Sequence, residues 1–240
     1  MAKLLIVAIT HTVILALYVF TIYCTFSVLK LPNFDKQQNN FNVGQLKFLT
    51  VWNVIAQTLF FFTSLLNDIF GTNSNIPKKM PFIRRYKDFY HASVGFPVAI
   101  FVGLTFWGLM FVDRELVLPK ALDLYFPRWL NHLMHSMIMV TTILEMLMVP
   151  RQYPKRSQGL GVLTGFMLIY LSWMHFVYYM NGIWAYPVIE ILTWPFRIIF
   201  YLALLMFAAG LYYVGELLDQ LIWGEYLILL QSIIDYQSMS

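Results

Sequence analysis

Six stretches of about 20 apolar residues decide what this chain can fold into. They run at approximately 4–28, 48–69, 89–112, 130–149, 160–180 and 196–214. Each is long enough to cross a hydrocarbon core of about 30 Å as a helix. A helix is also the one open-ended element that satisfies its own backbone polar groups in lipid. Together they take up half of the 240 residues, and the short loops between them leave no room for a separate soluble domain. Composition agrees: 60% of residues are hydrophobic and 12% are charged. A soluble domain runs near 45–50% and about 25%. The expectation is a single-domain, all-α integral membrane protein with six transmembrane helices.

The same numbers exclude disorder. One cysteine, Cys24, excludes an internal disulfide framework and a four-cysteine metal site. The net charge of +4 comes from basic residues clustered between apolar segments, with no accompanying binding module, so nucleic acid is excluded as a partner. The first stretch is about 25 residues long and ends without a small-x-small site, so it reads as a signal anchor, not a cleaved signal peptide. Residues 215–234 interleave apolar side chains with Glu216, Asp219, Glu225 and Asp235; they read either as an interfacial amphipathic helix or as an extension of the sixth span. Nine basic residues, among them Lys3, Lys78, Lys79, Arg84, Arg85, Lys87 and Arg151, fall on one side and seven on the other. That bias places both termini on the cytoplasmic side. The sequence has no internal repeat and no matched pair of broken helices, which speaks against a secondary transporter.

Ionisable and polar groups at membrane depth mark functional sites by default. Thr50 opens the second span, His132 and His135 open the fourth, and His175 closes the fifth, so all four share one membrane face at shallow depth. Asn131 and His135 stand four residues apart on one helix face. An imidazole can serve as general base to a hydroxyl that is a poor nucleophile at its free pKa, and an amide can orient the base or donate to an oxyanion. Thr50 with His135 is thus an admissible nucleophile–base pair, with Asn131, His132 and Asn53 as orienting or oxyanion candidates. Two other readings remain open here. The hydroxyl and imidazoles can simply serve helix packing, or His132, His135 and His175 can join Asp113 or Glu190 around a metal. Glu145 lies ten residues beyond His135, roughly 15 Å along a helix, too far to orient it. It is expected to pair with Arg151 or a cross-helix donor, and Asp68 with Arg84 or Arg85.

Several strings carry a family resemblance: Lys47-Phe48-Leu49-Thr50, Phe96-Pro97-Val98, Asp113-Arg114-Glu115, Trp129 to Ser136, Tyr153 to Leu160, Gly182 to Pro187 and Tyr212 to Glu216. In order and spacing, from about residue 44 to 224, the chain resembles the androgen-induced gene 1 / androgen-dependent TFPI-regulating protein family, also called the FAR-17a family. The resemblance implies a six-span hydrolase that cleaves fatty acid esters of hydroxy fatty acids, with Thr50 as nucleophile and His135 as base. It implies a lipid substrate with long acyl chains, the bilayer as surroundings, no cofactor and no metal, and a multi-pass protein of the plasma membrane or endoplasmic reticulum. A non-enzymatic scaffold or regulator is the alternative, a transporter a weaker one. The chain departs from the pattern at Ser136, where relatives carry threonine, at Ala185, where they carry valine, and in its longer first loop, Asn33 to Asn42. No oligomeric state follows from the sequence.

Overall fold

A computed structural model describes residues 2–29, 43–74, 77 and 79–239. Among them every regular element is helical. Helix α1 (Ala2–Tyr23) runs on into a π-helical turn, Cys24–Val28. A 3-10 turn, Gly44–Lys47, leads into α2 (Leu49–Phe70). Helix α3 (Phe82–Tyr90) continues through a π segment, His91–Gly95, into α4 (Phe96–Asp113), making one rod. Helix α5 (Arg128–His132) continues through a third π segment, Leu133–Met137, into α6 (Ile138–Met148). Helix α7 (Arg156–Asn181), the short α8 (Pro187–Ile191) and the long α9 (Trp194–Met239) complete the chain.

The central rod explains the layout. Val98 and Ala99 of α4 are wholly buried, and α4 packs against α2, α6 and α9. Gly103 lets α4 approach closely: a Cβ there would lie 2.8 Å from the His135 carbonyl oxygen. The outer helices turn large apolar side chains outward, such as Val13 on α1, Ile169 on α7 and Ile199 and Met206 on α9. That pattern suits a lipid surround, where exposed apolar side chains carry no cost. Pro97 has no N–H to return to the carbonyl of residue 93, and the π segment immediately before it widens the helix at that turn.

Five helical stretches are long and apolar enough to cross a membrane: Leu4–Val28, Leu49–Phe70, Phe82–Leu116, Arg156–Asn181 and Trp194–Gly224. The fourth expected span, 130–149, is helical as α5–α6 and packs in the bundle, but it is not among these five. It carries Asn131, His132, His135 and Glu145, which lower its apolar content. The third stretch starts at Phe82, not at 89, so Arg84, Arg85 and Lys87 lie on a helix instead of in a loop. Residues 215–234 continue α9 without a break. The first-loop departure, Asn33 to Asn42, lies outside the described residues, as do Lys30, Lys36 and Lys78.

Candidate active site

The Thr50 hydroxyl owes its freedom to its place in α2. In a helix interior a threonine hydroxyl returns to the carbonyl four residues back. Thr10, Thr12, Thr21, Thr58 and Thr63 all do so. Thr50 is the second residue of its helix and has no helical carbonyl behind it. The carbonyl of Leu46, four residues earlier, instead accepts from the indoles of Trp52 and Trp173. Thr50 Oγ1 lies 3.1 Å from His135 Nε2, across 85 positions of sequence.

The other face of the imidazole is fixed locally. His135 sits in the π segment Leu133–Met137, and its Nδ1 donates to the Asn131 backbone carbonyl at 3.0 Å. Because Nδ1 carries the proton, Nε2 is the acceptor for the Thr50 hydroxyl. Phe106 of α4 stacks on the ring, with centroids 3.6 Å apart and planes 15° from parallel. Both site residues are buried, Thr50 at 8% exposure and His135 at 5%.

A tyrosine pair holds the start of α2. The Leu49 N–H donates to the Tyr186 hydroxyl at 2.8 Å, and the Tyr170 hydroxyl donates to the Lys47 carbonyl at 2.9 Å. The two hydroxyls are themselves 3.2 Å apart. The Thr50 N–H has no acceptor among the described residues.

Two cavities meet at Thr50. One, about 1030 Å³ of empty space partly open to the outside, runs between α4, α7 and α9; Met167, Leu171, Phe200 and Leu204 give it an apolar wall, and Thr105 adds a hydroxyl. The Thr105 Oγ1 is buried and has no hydrogen-bond partner among the described residues. The second, about 1190 Å³ and also partly open, has both Thr50 and His135 on its wall, with Thr25, Gln45, Lys47 and Glu190 as its polar margin. Concave, mainly apolar sites with a few convergent polar groups are the usual form of a small-molecule pocket.

The remaining expected site residues fall elsewhere. Asn131 reaches His135 through its backbone carbonyl, and Asn53 accepts from Gln57 Nε2 at 3.3 Å. Neither lines either of these two cavities. His132 is exposed, stacks on Trp107 and lies 3.1 Å from Ser136 Oγ. His175 donates to the Leu171 carbonyl and packs among Trp184, Trp194 and Tyr201. No group of three or more His, Cys, Asp or Glu among the described residues is placed to hold a metal ion.

A second polar cluster occupies the other end of the bundle; it supplies the cross-helix donors expected for Glu145 and corrects the expected pairing of Asp68. Glu145 pairs with Lys87 at 2.9 Å and with His11 at 2.7 Å, while Arg151 pairs with Asp219 at 3.1 Å and contacts His91. Asp68 pairs with His11 at 2.6 Å; Arg84 goes instead to Asp88, one turn along its own helix, and to the Thr72 and Pro150 carbonyls. Nothing in the sequence shows that His11 bridges two carboxylates.

Sequence comparison places these features among known proteins. The model of the family described as FAR-17a/AIG1-like protein matches residues 8–220. An androgen-dependent TFPI-regulating protein from Mus musculus is 33% identical over 214 residues, covering 89% of this chain and 92% of the relative. An androgen-induced gene 1 protein from Homo sapiens is 32% identical over 209 residues, covering 85% of this chain and 86% of the relative. A membrane protein from Schizosaccharomyces pombe is 27% identical over 157 residues, 64% of this chain and 65% of its own length. No solved structure matches.

Proposed function

The chain belongs to the FAR-17a/AIG1-like family, and we propose that it is an intramembrane ester hydrolase acting on fatty acid esters of hydroxy fatty acids. The observation that carries this reading is the Thr50–His135 pair: a helix-start hydroxyl with no backbone acceptor, 3.1 Å from an imidazole nitrogen, where two cavities join. Thr10, Thr12, Thr21, Thr58 and Thr63 bond to their own helix, and this one does not; Thr142 also faces an imidazole, that of His91, but lines neither cavity.

In the proposed reaction Thr50 Oγ attacks the acyl carbon as its proton passes to His135 Nε2. The carbonyl oxygen becomes an oxyanion. Two candidate donors belong to residues that line the first cavity, the Thr50 N–H in the first turn of α2 and the Thr105 hydroxyl. The helix start adds a favourable partial positive charge. Collapse breaks the bond between the acyl carbon and the alcohol oxygen, and His135 returns the proton to the leaving alkoxide. Water then attacks the acyl-threonine, His135 takes its proton, and Thr50 leaves with a proton restored. The Asn131 carbonyl holds the tautomer throughout, the part an acid takes in the serine triad.

The test is hydrolysis of a panel of fatty acid esters of hydroxy fatty acids by membranes holding equal amounts of wild type, Thr50→Ala or His135→Ala. Loss of turnover in both variants, with folding intact, is expected. Equal turnover in all three rules out this pair as the machinery. Absence of turnover in the wild type favours the non-enzymatic scaffold.

A further inference from the structure

The two cavities are unequal, and the inequality assigns the two halves of an ester. His135 lines the second cavity only. In acyl transfer the base that accepts the nucleophile's proton returns it to the leaving alcohol. The leaving portion therefore lies on the His135 side, in the second cavity. The acyl chain is left with the first cavity, whose wall carries no ionisable side chain except the Tyr170, Tyr186 and Tyr201 phenols.

The second cavity carries a cation that no carboxylate pairs with among the described residues. Lys47 is half-buried on its wall, three residues before Thr50. Burial lowers its pKa from the ordinary lysine value, with no acidic neighbour offsetting the effect. Its ammonium lies 5.2 Å from the Phe48 ring centroid, and no carboxylate among the described residues is within ion-pair distance of it. Glu190 stands on the same wall. The Lys47 backbone is tied down by the Tyr170 hydroxyl, which fixes where the side chain starts. A partly desolvated cation with an aromatic face but no paired carboxylate gains most from a charge-assisted bond to an incoming anion.

We propose that Lys47 is the recognition residue for a carboxylate on the alcohol portion of the ester, held in the second cavity while the acyl chain lies in the first. This deepens the hydrolase reading and rests on it for the assignment of the two halves. The site then prefers an acylated hydroxy acid to the same molecule with its charge removed.

The experiment compares a palmitate ester of hydroxystearic acid with its methyl ester, using the purified full chain as wild type, Lys47→Met and Lys47→Arg. Wild type is expected to favour the free acid. Lys47→Met lowers kcat/KM for the free acid by about 10-fold or more, mainly through KM, and leaves the methyl ester nearly unchanged. Lys47→Arg restores the preference. Equal loss on both substrates, or no preference in the wild type, overturns the proposal. A second measurement is independent of turnover: binding of hydroxystearate and of its methyl ester to Thr50→Ala protein, with and without Lys47→Met. Tighter binding of the anion that vanishes with Lys47 supports the subsite even if the hydrolase reading fails. Equal binding of both ligands overturns it. Tighter binding of a lysophosphatidate than of hydroxystearate replaces the carboxylate by a phosphate and likewise overturns it.

Discussion

At the scale of single residues, the candidate site rests on where two ordinary side chains stand. Thr50 sits in the first turn of its helix, and unlike Thr142, which faces His91, it shares a cavity wall with its imidazole. The expected outcome of Thr50→Ser is retained turnover, because the hydroxyl and the missing acceptor both remain; Thr50→Val abolishes it. Assay of both variants at matched expression separates a nucleophile from a packing residue, for which Val is the better shape match. Thr105→Val tests the oxyanion assignment. Losing one donor to the transition-state oxygen lowers kcat by about 10-fold or more while KM changes little, and an equal rise in KM with unchanged kcat speaks for ground-state binding instead. The pairing of Thr50 with His135 was legible from residue counting, since both enter from one membrane face. The orienting group was not. It is a backbone carbonyl, and sequence names side chains.

At the scale of elements, the three π segments explain more of the site than any motif. A π turn adds a residue to one turn of helix and shifts the side chains that follow it. The segments Cys24–Val28, His91–Gly95 and Leu133–Met137 each carry residues of interest: Thr25 on the second cavity, His91 against Thr142 and Arg151, and His135 against Thr50. The apolar runs at 4–28 and 48–69 coincide with the long apolar helices Leu4–Val28 and Leu49–Phe70, because apolar length needs no phase information. Helix α3 begins before the third expected span, because Arg84 and Lys87 read as loop charges although Asp88 on the same helix and Glu145 of α6 pair with them. Gly103 is the point where α4 touches the third π segment. A methyl group there would collide with the His135 carbonyl oxygen as well as the flexible Met139 side chain. Gly103→Ala is therefore expected to destabilise the fold by about 1–3 kcal/mol through overpacking and to displace His135 from Thr50. Turnover per folded molecule should fall, while a substitution at Gly161, where nothing lies within 4 Å, changes neither. Unfolding in detergent alongside the hydrolysis assay reads both.

At the scale of the molecule, the fold separates chemistry from cohesion. The proposed site lies at the start of α2, and the charge cluster lies near its end, 18 residues or roughly 27 Å away along the axis. Composition made the membrane class plain, but 12% charge gave no hint that so much of it would be buried together. His11, Asp68, Lys87 and Glu145 join α1, α2, α3 and α6 at one point. Both His11 nitrogens face carboxylate oxygens, an arrangement that a doubly protonated ring satisfies with two charge-assisted bonds. Three of the nine basic residues behind the orientation argument, Arg84, Lys87 and Arg151, belong to such internal pairs. Removing one partner of a buried pair strands the other charge, at a cost of about 3–5 kcal/mol. Lys87→Met alone should cost that much, since it leaves two carboxylates around one histidine. Combining it with Glu145→Leu removes a charge of each sign and leaves His11 with Asp68. The double variant is thus expected to be more stable than the sum of the single changes, the mark of direct coupling. Equilibrium unfolding in mixed micelles measures the cycle, and strict additivity counts against this account. Turnover per folded molecule stays near wild type in all three variants, because the cluster holds the helices in register and touches neither cavity.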